Sequence, residues 1–125
     1  QKENNNSASS YGNSFTNGDI LMVALDMDNN KLYFGKNGTW QNSGDPTSGS
    51  TGTGAAFTVT SGHTYFPACS ILGGGGESYQ FNFGNGFFKT TAISSAGSNG
   101  NGSLFEYDVP SGYYALNTKN LNTYG

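Results

Sequence analysis

Hydrolytic chemistry would need a nucleophile, a base and an orienting acid, and the sequence offers few candidates. The one imidazole is His63, between Gly62 and Thr64 in a predicted turn. A serine hydrolase holds a serine beside such a base and a carboxylate behind it. The sequence contains no Gly-x-Ser-x-Gly elbow that would present the serine. We therefore interpret His63 as a solvated turn residue and expect no catalytic residue.

Two neighbouring carboxylates raise the possibility of glycosidase or metal chemistry. A glycosidase needs two acids about 5 to 9.5 Å apart across a cleft, but Asp26 and Asp28 lie in a predicted turn ending at Asn30, where Asp serves to bond the backbone. The run also mimics the start of a calcium loop. Its sixth and twelfth positions are Lys31 and Asn37 rather than Gly and Glu. We expect no metal and no cofactor.

A tryptophan followed by a long polar loop is the best candidate for a binding site. Trp40 precedes residues 41–54, which include no aliphatic or aromatic residue. An exposed indole would stack on a sugar ring or anchor a protein partner, whereas a buried one would be core, and both readings stay open. Binding residues commonly lie on loops over a rigid scaffold. The predicted partner-binding residues are therefore Trp40, Gln41, Asn42 and Asp45.

Asn-x-Ser/Thr sequons occur at Asn5, Asn37 and Asn101. Asn5 and Asn101 lie in polar segments and could carry glycans. Asn37 belongs to an Asn-Gly pair, and its tolerance of positive φ explains it better.

The composition indicates a folded all-β chain. Of 125 residues, twenty are Gly and 14% are aromatic, while only 10% are charged, the reverse of a disordered chain. Aromatic segments separated by glycine-rich ones are typical of short strands joined by turns. The net charge is −3 and the five basic residues are all Lys, so we expect no nucleic-acid partner. No apolar stretch suits membrane insertion.

The first half of the chain predicts a hairpin. Residues 1–10 are polar and are interpreted as a linker or frayed end. Residues 20–25 are apolar at every position, which predicts a strand covered on both faces. A second strand follows over 31–34, and the pair Asn37-Gly38 closes the hairpin.

The rest of the chain predicts an exposed loop and further short strands. The loop is 41–54, and the strands are 55–60, 65–72, 78–83, 104–109 and 113–116. In 78–83, Tyr79, Phe81 and Phe83 alternate with polar residues and are expected to face the core. Cys69, the single cysteine, stands in an apolar run and is expected to be core. No helix longer than two turns is expected.

Several of these motifs, taken in order, resemble the SPRY domain family. They are Tyr11-Gly12, Gly18-Asp19-Ile20, Ala24 to Asp28, Leu32-Tyr33-Phe34, Lys36-Asn37-Gly38, Phe66 to Ser70 and Phe81 to Gly84. The resemblance implies a concanavalin-like sandwich of two antiparallel sheets with its core in residues 11–88 and a C-terminal extension with short strands in 89–125. SPRY domains usually have several strands before the Tyr-Gly turn. The sandwich is therefore expected to be incomplete at its N-terminus, with strands supplied upstream or by a neighbouring chain.

The resemblance also implies a function: SPRY domains bind partners through loops, without cofactor or chemistry. Residues 110–121 are similar to the tail that follows such domains in phage and other viral structural proteins. We expect a non-enzymatic recognition module on a virion or fibre surface, binding a protein or a glycan. The alternatives are a fibre or capsid subunit that shares strands with its neighbours, and a fragment of a glycan-active enzyme.

Overall fold

The computed structural model describes residues 1–70, 75–76, 78–88, 91–93 and 95–124. The chain folds into two compact units. The first is Gln1–Ser61 with Pro110–Tyr113, and the second is Gly62–Val109 with Tyr114–Gly125. Strands are the main regular structure and pair antiparallel, which confirms the all-β prediction. The strands are β1 (Lys2–Asn4), β2 (Ser7–Ser9), β3 (Leu21–Asp26), β4 (Lys31–Lys36), β5 (Thr39–Trp40), β6 (Phe57–Thr58), β7 (Phe87–Phe88) and β8 (Thr91–Ala92).

The predicted hairpin is the centre of the first unit. Strands β3 and β4 pair along their whole length, with Val23 opposite Phe34, and both β5 and β6 add to β4. The Asp26 carboxylate accepts hydrogen bonds from the backbone and side-chain amides of Asn29, both at 2.9 Å. Asn30 then takes a φ of 58°. The turn carboxylate therefore organises the backbone, as predicted.

The two faces of this sheet are not equally covered. On one face Ala24 is buried and Tyr33 is fully buried. On the other face Leu21 is 53% exposed and Val23 54% exposed. The expectation that both faces of this strand are covered is therefore wrong, because successive side chains alternate and the described chain packs closely on one side only.

Residues 1–10 are not shapeless. They form the hairpin β1–β2, with Asn5 and Asn6 at its turn at φ values of 50° and 59°, the positive angles that a tight two-residue turn requires. The Lys2 ammonium group donates to the Ala56 carbonyl and lies 5.0 Å from the centre of the Phe57 ring. The prediction of a frayed end is wrong for this hairpin. The proposed boundaries 11–88 and 89–125 stay predictions.

In the second unit the predicted strand 78–83 is absent. Residues 78–82 have no regular structure, and Tyr79, Phe81 and Phe83 are between 40% and 59% exposed. Asn82 turns inward instead: its Oδ1 accepts from the Gly84 amide at 2.7 Å and its Nδ2 donates to the Leu104 carbonyl at 2.9 Å. This side-chain turn competes with strand pairing, so the expected burial of the three aromatic rings is wrong.

Two further expectations for this unit fail. Residues 62–70 are exposed and irregular, and Cys69 is exposed rather than core; positions 71–72 of that predicted strand lie outside the described residues. The strands expected at 104–109 and 113–116 reduce to single bridges, Asn85 with Leu104 and Gly100 with Tyr114. The seven-residue helix α1 (Thr118–Tyr124) agrees with the limit of two turns.

Candidate functional site

The long loop, residues 41–54, is ordered and packs against the buried face of the first unit's sheet. Tyr33 Oη lies 3.4 Å from Ser48 Oγ, and Tyr113 Oη donates to the Pro46 carbonyl at 2.8 Å. Burial, together with the nearby Asp26, raises the pKa of Tyr113. Pro46 and Gln41 are buried, so the expectation of a wholly exposed loop is wrong for these two residues.

Asp45 stabilises the loop through hydrogen bonds to other residues of the loop. Its carboxylate accepts from the Thr47 hydroxyl at 2.7 Å and the Thr47 amide at 2.9 Å, and these bonds lower the pKa of Asp45. Its amide donates to the Thr53 carbonyl at 3.0 Å. The Thr53 amide in turn donates to Ser48 Oγ at 2.9 Å. The Asp45 carboxylate is therefore already engaged within the loop.

Gly54 closes the loop at a point where backbone meets backbone. Its φ is +63°, and a Cβ built there would lie 2.5 Å from both the Asn42 carbonyl oxygen and Gly44 Cα. Tyr11 Oη donates to the Gly54 carbonyl at 3.1 Å. Only glycine allows the two ends of the loop to approach this closely.

A groove opens where the loop begins. Its volume is about 460 Å³, and it is lined by Gly12, Asn13, Thr39, Trp40, Gln41, Asn42 and Ser43. Gln41 is 5% exposed and ties the two walls together: its Oε1 accepts from the Asn13 amide at 2.7 Å, and its Nε2 donates to the Thr39 carbonyl at 3.2 Å. Since both ends of this amide are bonded, Gln41 holds the groove in shape.

Trp40 is half-buried, between the two readings left open by the sequence. Its ring packs over Gly35, where a Cβ would lie only 3.1 Å from Trp40 Cε3. Asn42 and Ser43 beside it are exposed and take φ values of 57° and 52°. The structure thus brings Trp40, Gln41 and Asn42 to one groove, whereas Asp45 is not among its lining residues.

A polar lock joins the segment before β3 to the end of β4. The Asp19 carboxylate contacts Lys36 Nζ at 2.8 Å and accepts from Asn37 Nδ2 at 2.7 Å. Asn37 Oδ1 accepts from the Ile20 amide at 2.8 Å, and the Thr16 amide donates to Asp19 at 2.7 Å. Lys36 and these other donors hold the pKa of Asp19 well below its usual range.

Sequence reasoning noticed the Gly18-Asp19 and Lys36-Asn37-Gly38 motifs but not their contact. The signal was the hairpin register: Leu21 pairs with Lys36, and Ile20 bonds Asn37 just beyond it, which brings Asp19 beside both side chains. The φ of 48° at Asn37 agrees with the turn role predicted for it. The lock fixes the chain that leads into the hairpin.

Asp19→Asn is expected to lower the free energy of unfolding at neutral pH more than Asp28→Asn, which removes a carboxylate from the exposed turn of the same hairpin. The folded-state pKa of Asp19 is depressed, so its stabilisation is present above the ordinary carboxyl pKa of about 4 and lost as the pH falls below it. Urea unfolding at a series of pH values should therefore show that the difference in the free energy of unfolding between wild type and Asp19→Asn becomes smaller below about pH 4. A difference in the free energy of unfolding that stays constant over this pH range would contradict a stabilising role for the contacts of the Asp19 carboxylate.

The other candidate chemical groups are not among the residues that line the groove. His63 is exposed, with its ring 6.5 Å from that of Tyr65. Across the described residues, no three His, Cys, Asp or Glu side chains gather in a way that could hold a metal ion. Within that same part of the chain, no helix is long and apolar enough to cross a bilayer.

The two sequons predicted to carry glycans, at Asn5 and Asn101, differ in their surroundings. Asn5 is exposed at the turn of the first hairpin. Asn101 is exposed as well, but its Nδ2 donates to Asn120 Oδ1 at 3.0 Å, so the nitrogen that would carry a glycan already has a partner. Glycosylation at either position stays a prediction.

Comparison with protein families identifies the domain. The SPRY domain model matches residues 1–86, a range that includes the hairpin β1–β2, the four-stranded sheet and the groove. The chain belongs to the SPRY domain family. Comparisons with curated proteins and with solved structures gave no match. The family match bears out the resemblance to SPRY domains and indicates a protein-interaction module. It does not extend to residues 110–121, whose similarity to viral tails stays a prediction.

Proposed function

We propose that this SPRY domain is a non-enzymatic recognition module that binds a protein partner through the groove at Trp40. The observation that carries the proposal is the fixed geometry of this groove: Gln41 bonds both walls, with its Oε1 on Asn13 and its Nε2 on Thr39. A surface that is already ordered loses little entropy when a partner binds. The family itself indicates protein interaction.

The groove offers the chemistry that protein partners use. The half-buried indole of Trp40 presents apolar area beside the exposed polar residues Asn42 and Ser43. Aromatic anchors surrounded by polar groups are typical of interface hot spots. Only five residues are basic, none of them is Arg, and the net charge is −3. This charge balance favours a protein partner over nucleic acid.

A glycan is the second candidate ligand, since an indole beside a side-chain amide also suits a sugar ring. The proposed setting is a virion or fibre surface outside the cell. Its support is the similarity of residues 110–121 to the tails of viral structural proteins. A subunit that shares strands with its neighbours is compatible with the same setting. A fragment of a glycan-active enzyme would show itself by turnover of a polysaccharide panel.

Protein and glycan arrays probed with the wild-type chain and three variants test this proposal. Trp40→Ala removes the anchor, and Asn42→Gly removes the amide while tolerating the φ of 57°. Ser50→Ala, at an exposed position of the same loop outside the groove lining, is the control. We expect Trp40→Ala to weaken binding about thirtyfold, the ~2 kcal/mol typical of a hot spot. Ser50→Ala should bind like wild type.

The class of array that responds separates the two ligands. Groove-dependent binding on the protein array supports the proposed function, and groove-dependent binding on the glycan array alone supports the second candidate. If Trp40→Ala and Asn42→Gly both bind the array ligands as strongly as wild type does, the groove is not the recognition surface.

A further inference from the structure

Strand β3 is the outer strand of the first unit's sheet in the described part of the chain. The Asn37 amide donates to the Ile20 carbonyl at 3.0 Å, so the backbone groups of Met22, Ala24 and Asp26, two residues apart, are the ones that face β4. The N–H and C=O groups of the alternate residues, Leu21, Val23 and Leu25, therefore point away from β4. These three residues form the free edge.

The free edge lacks the features that normally prevent an edge strand from pairing with another chain. Leu21 and Val23 are 53% and 54% exposed, and β3 is six residues long with no Lys or Pro. Its one charged residue, Asp26, is the last of the strand and is paired with Lys31 of β4. Natural edge strands are protected by charged side chains, Pro, bulges or shortness. An apolar edge whose N–H and C=O groups have no partner in the sheet is a template for pairing with another extended strand. The edge thus specifies the conformation of whatever covers it.

We propose that a second copy of this chain covers the edge, with the two β3 strands antiparallel about a two-fold axis at Val23. In this register Val23 of one copy lies opposite Val23 of the other, and Leu21 lies opposite Leu25. All three outward residues then pair both their N–H and their C=O. Their side chains form apolar cross-strand pairs with no like charges opposed.

This pairing does not depend on the proposed function. The sheet order is β3-β4-β5, so the free edge and the groove at Trp40 lie at opposite edges of the hairpin. A dimer formed through β3 leaves the groove open. Loss of partner binding and loss of self-association are therefore separate results.

A charge-swap experiment on the 125-residue chain tests the pairing by sedimentation equilibrium over a wide concentration range. Val23→Lys alone or Val23→Glu alone places like charges against each other on the axis, and we expect the dimer dissociation constant to rise about a hundredfold. An equimolar mixture of the two variants should restore the dimer, because opposite charges then meet. Phe66→Lys, at a residue 81% exposed outside this sheet, is the control and should dimerise like wild type.

Hydrogen exchange on the same samples reports the edge directly. In the dimer the amides of Leu21, Val23 and Leu25 should become protected as concentration rises. The amides of Met22 and Ala24, which face β4, should be protected at all concentrations and in every variant, which shows that the variants are folded. A wild-type chain that stays monomeric throughout would overturn the proposal. So would a dimer that persists in Val23→Lys, failure of the mixture to associate, or a monomer whose edge amides are already protected.

Discussion

Gly54→Ala is expected to destabilise the chain by about 3 kcal/mol. Two effects add. A residue with a Cβ at a φ of +63° costs about 1–2 kcal/mol, and the Cβ would overlap the Asn42 carbonyl oxygen and Gly44 Cα at 2.5 Å. Overlap with backbone cannot be relieved by a rotamer change and costs about 1–3 kcal/mol more. Urea unfolding of the purified variant measures the sum.

Gly18→Ala is the matched control for this prediction. Its φ is +88°, but nothing lies within 4 Å of its Cβ position. It therefore carries backbone strain without overlap and should cost only about 1–2 kcal/mol. Equal losses in the two variants would mean that the two ends of the loop do not approach each other as closely as the structure has them.

Tyr33→Ala is expected to have the largest effect, a loss of about 3–5 kcal/mol, because removing a buried ring leaves a cavity. Tyr33 is fully buried between its sheet and the long loop, with its hydroxyl 3.4 Å from Ser48 Oγ. The loss should also free the loop, since the ring supports Ser48. The measurement is thermal and urea unfolding, together with amide exchange in the loop.

Tyr33→Phe separates the ring from its hydroxyl. It keeps the packing and removes only a long hydrogen bond, so we expect a loss of about 0.5–1 kcal/mol. A loss comparable with that of Tyr33→Ala would assign the stability to the hydroxyl and would contradict the packing role of the ring.

The hairpin β3–β4 could be predicted from sequence because its signals are local. Residues 20–25 are apolar, Asp26 to Asn30 supplies turn chemistry, and Asn37-Gly38 ends the second strand. Each of these features acts within a few residues of its position in the chain. The groove residues Trp40, Gln41 and Asn42 were also found, because an indole next to a polar loop is a local feature.

The errors came from features that depend on distant residues. Nothing near Gln41 or Pro46 shows that Asn13 and Tyr113 bond them, so their burial could not be read from the loop. Which face of β3 is covered depends likewise on chain remote from it. Composition cannot reveal a polar hairpin such as β1–β2, although Asn5-Asn6 was a usable turn signal.

The strand expected at 78–83 failed for a different reason. Its alternation was real, but Asn82 is followed by Gly84 and Gly86, whose φ values of +94° and +79° allow a side-chain turn. Asn82 Oδ1 accepts hydrogen bonds from the backbone amides of Gly84 and Asn85 at 2.7 and 3.0 Å. These amides are therefore not free to pair with a neighbouring strand. Asn followed by alternating glycines was therefore a signal against the strand.

Amide hydrogen exchange along the long loop of the free chain tests most directly whether the domain carries a fixed recognition surface. The amides of Asn13, Asp45 and Thr53 donate to Gln41 Oε1, the Thr53 carbonyl and Ser48 Oγ. They should exchange much more slowly than the amide of Asn17 in its exposed turn. If all four exchange at the rate of an unfolded chain, the loop is not held and the groove at Trp40 has no fixed shape.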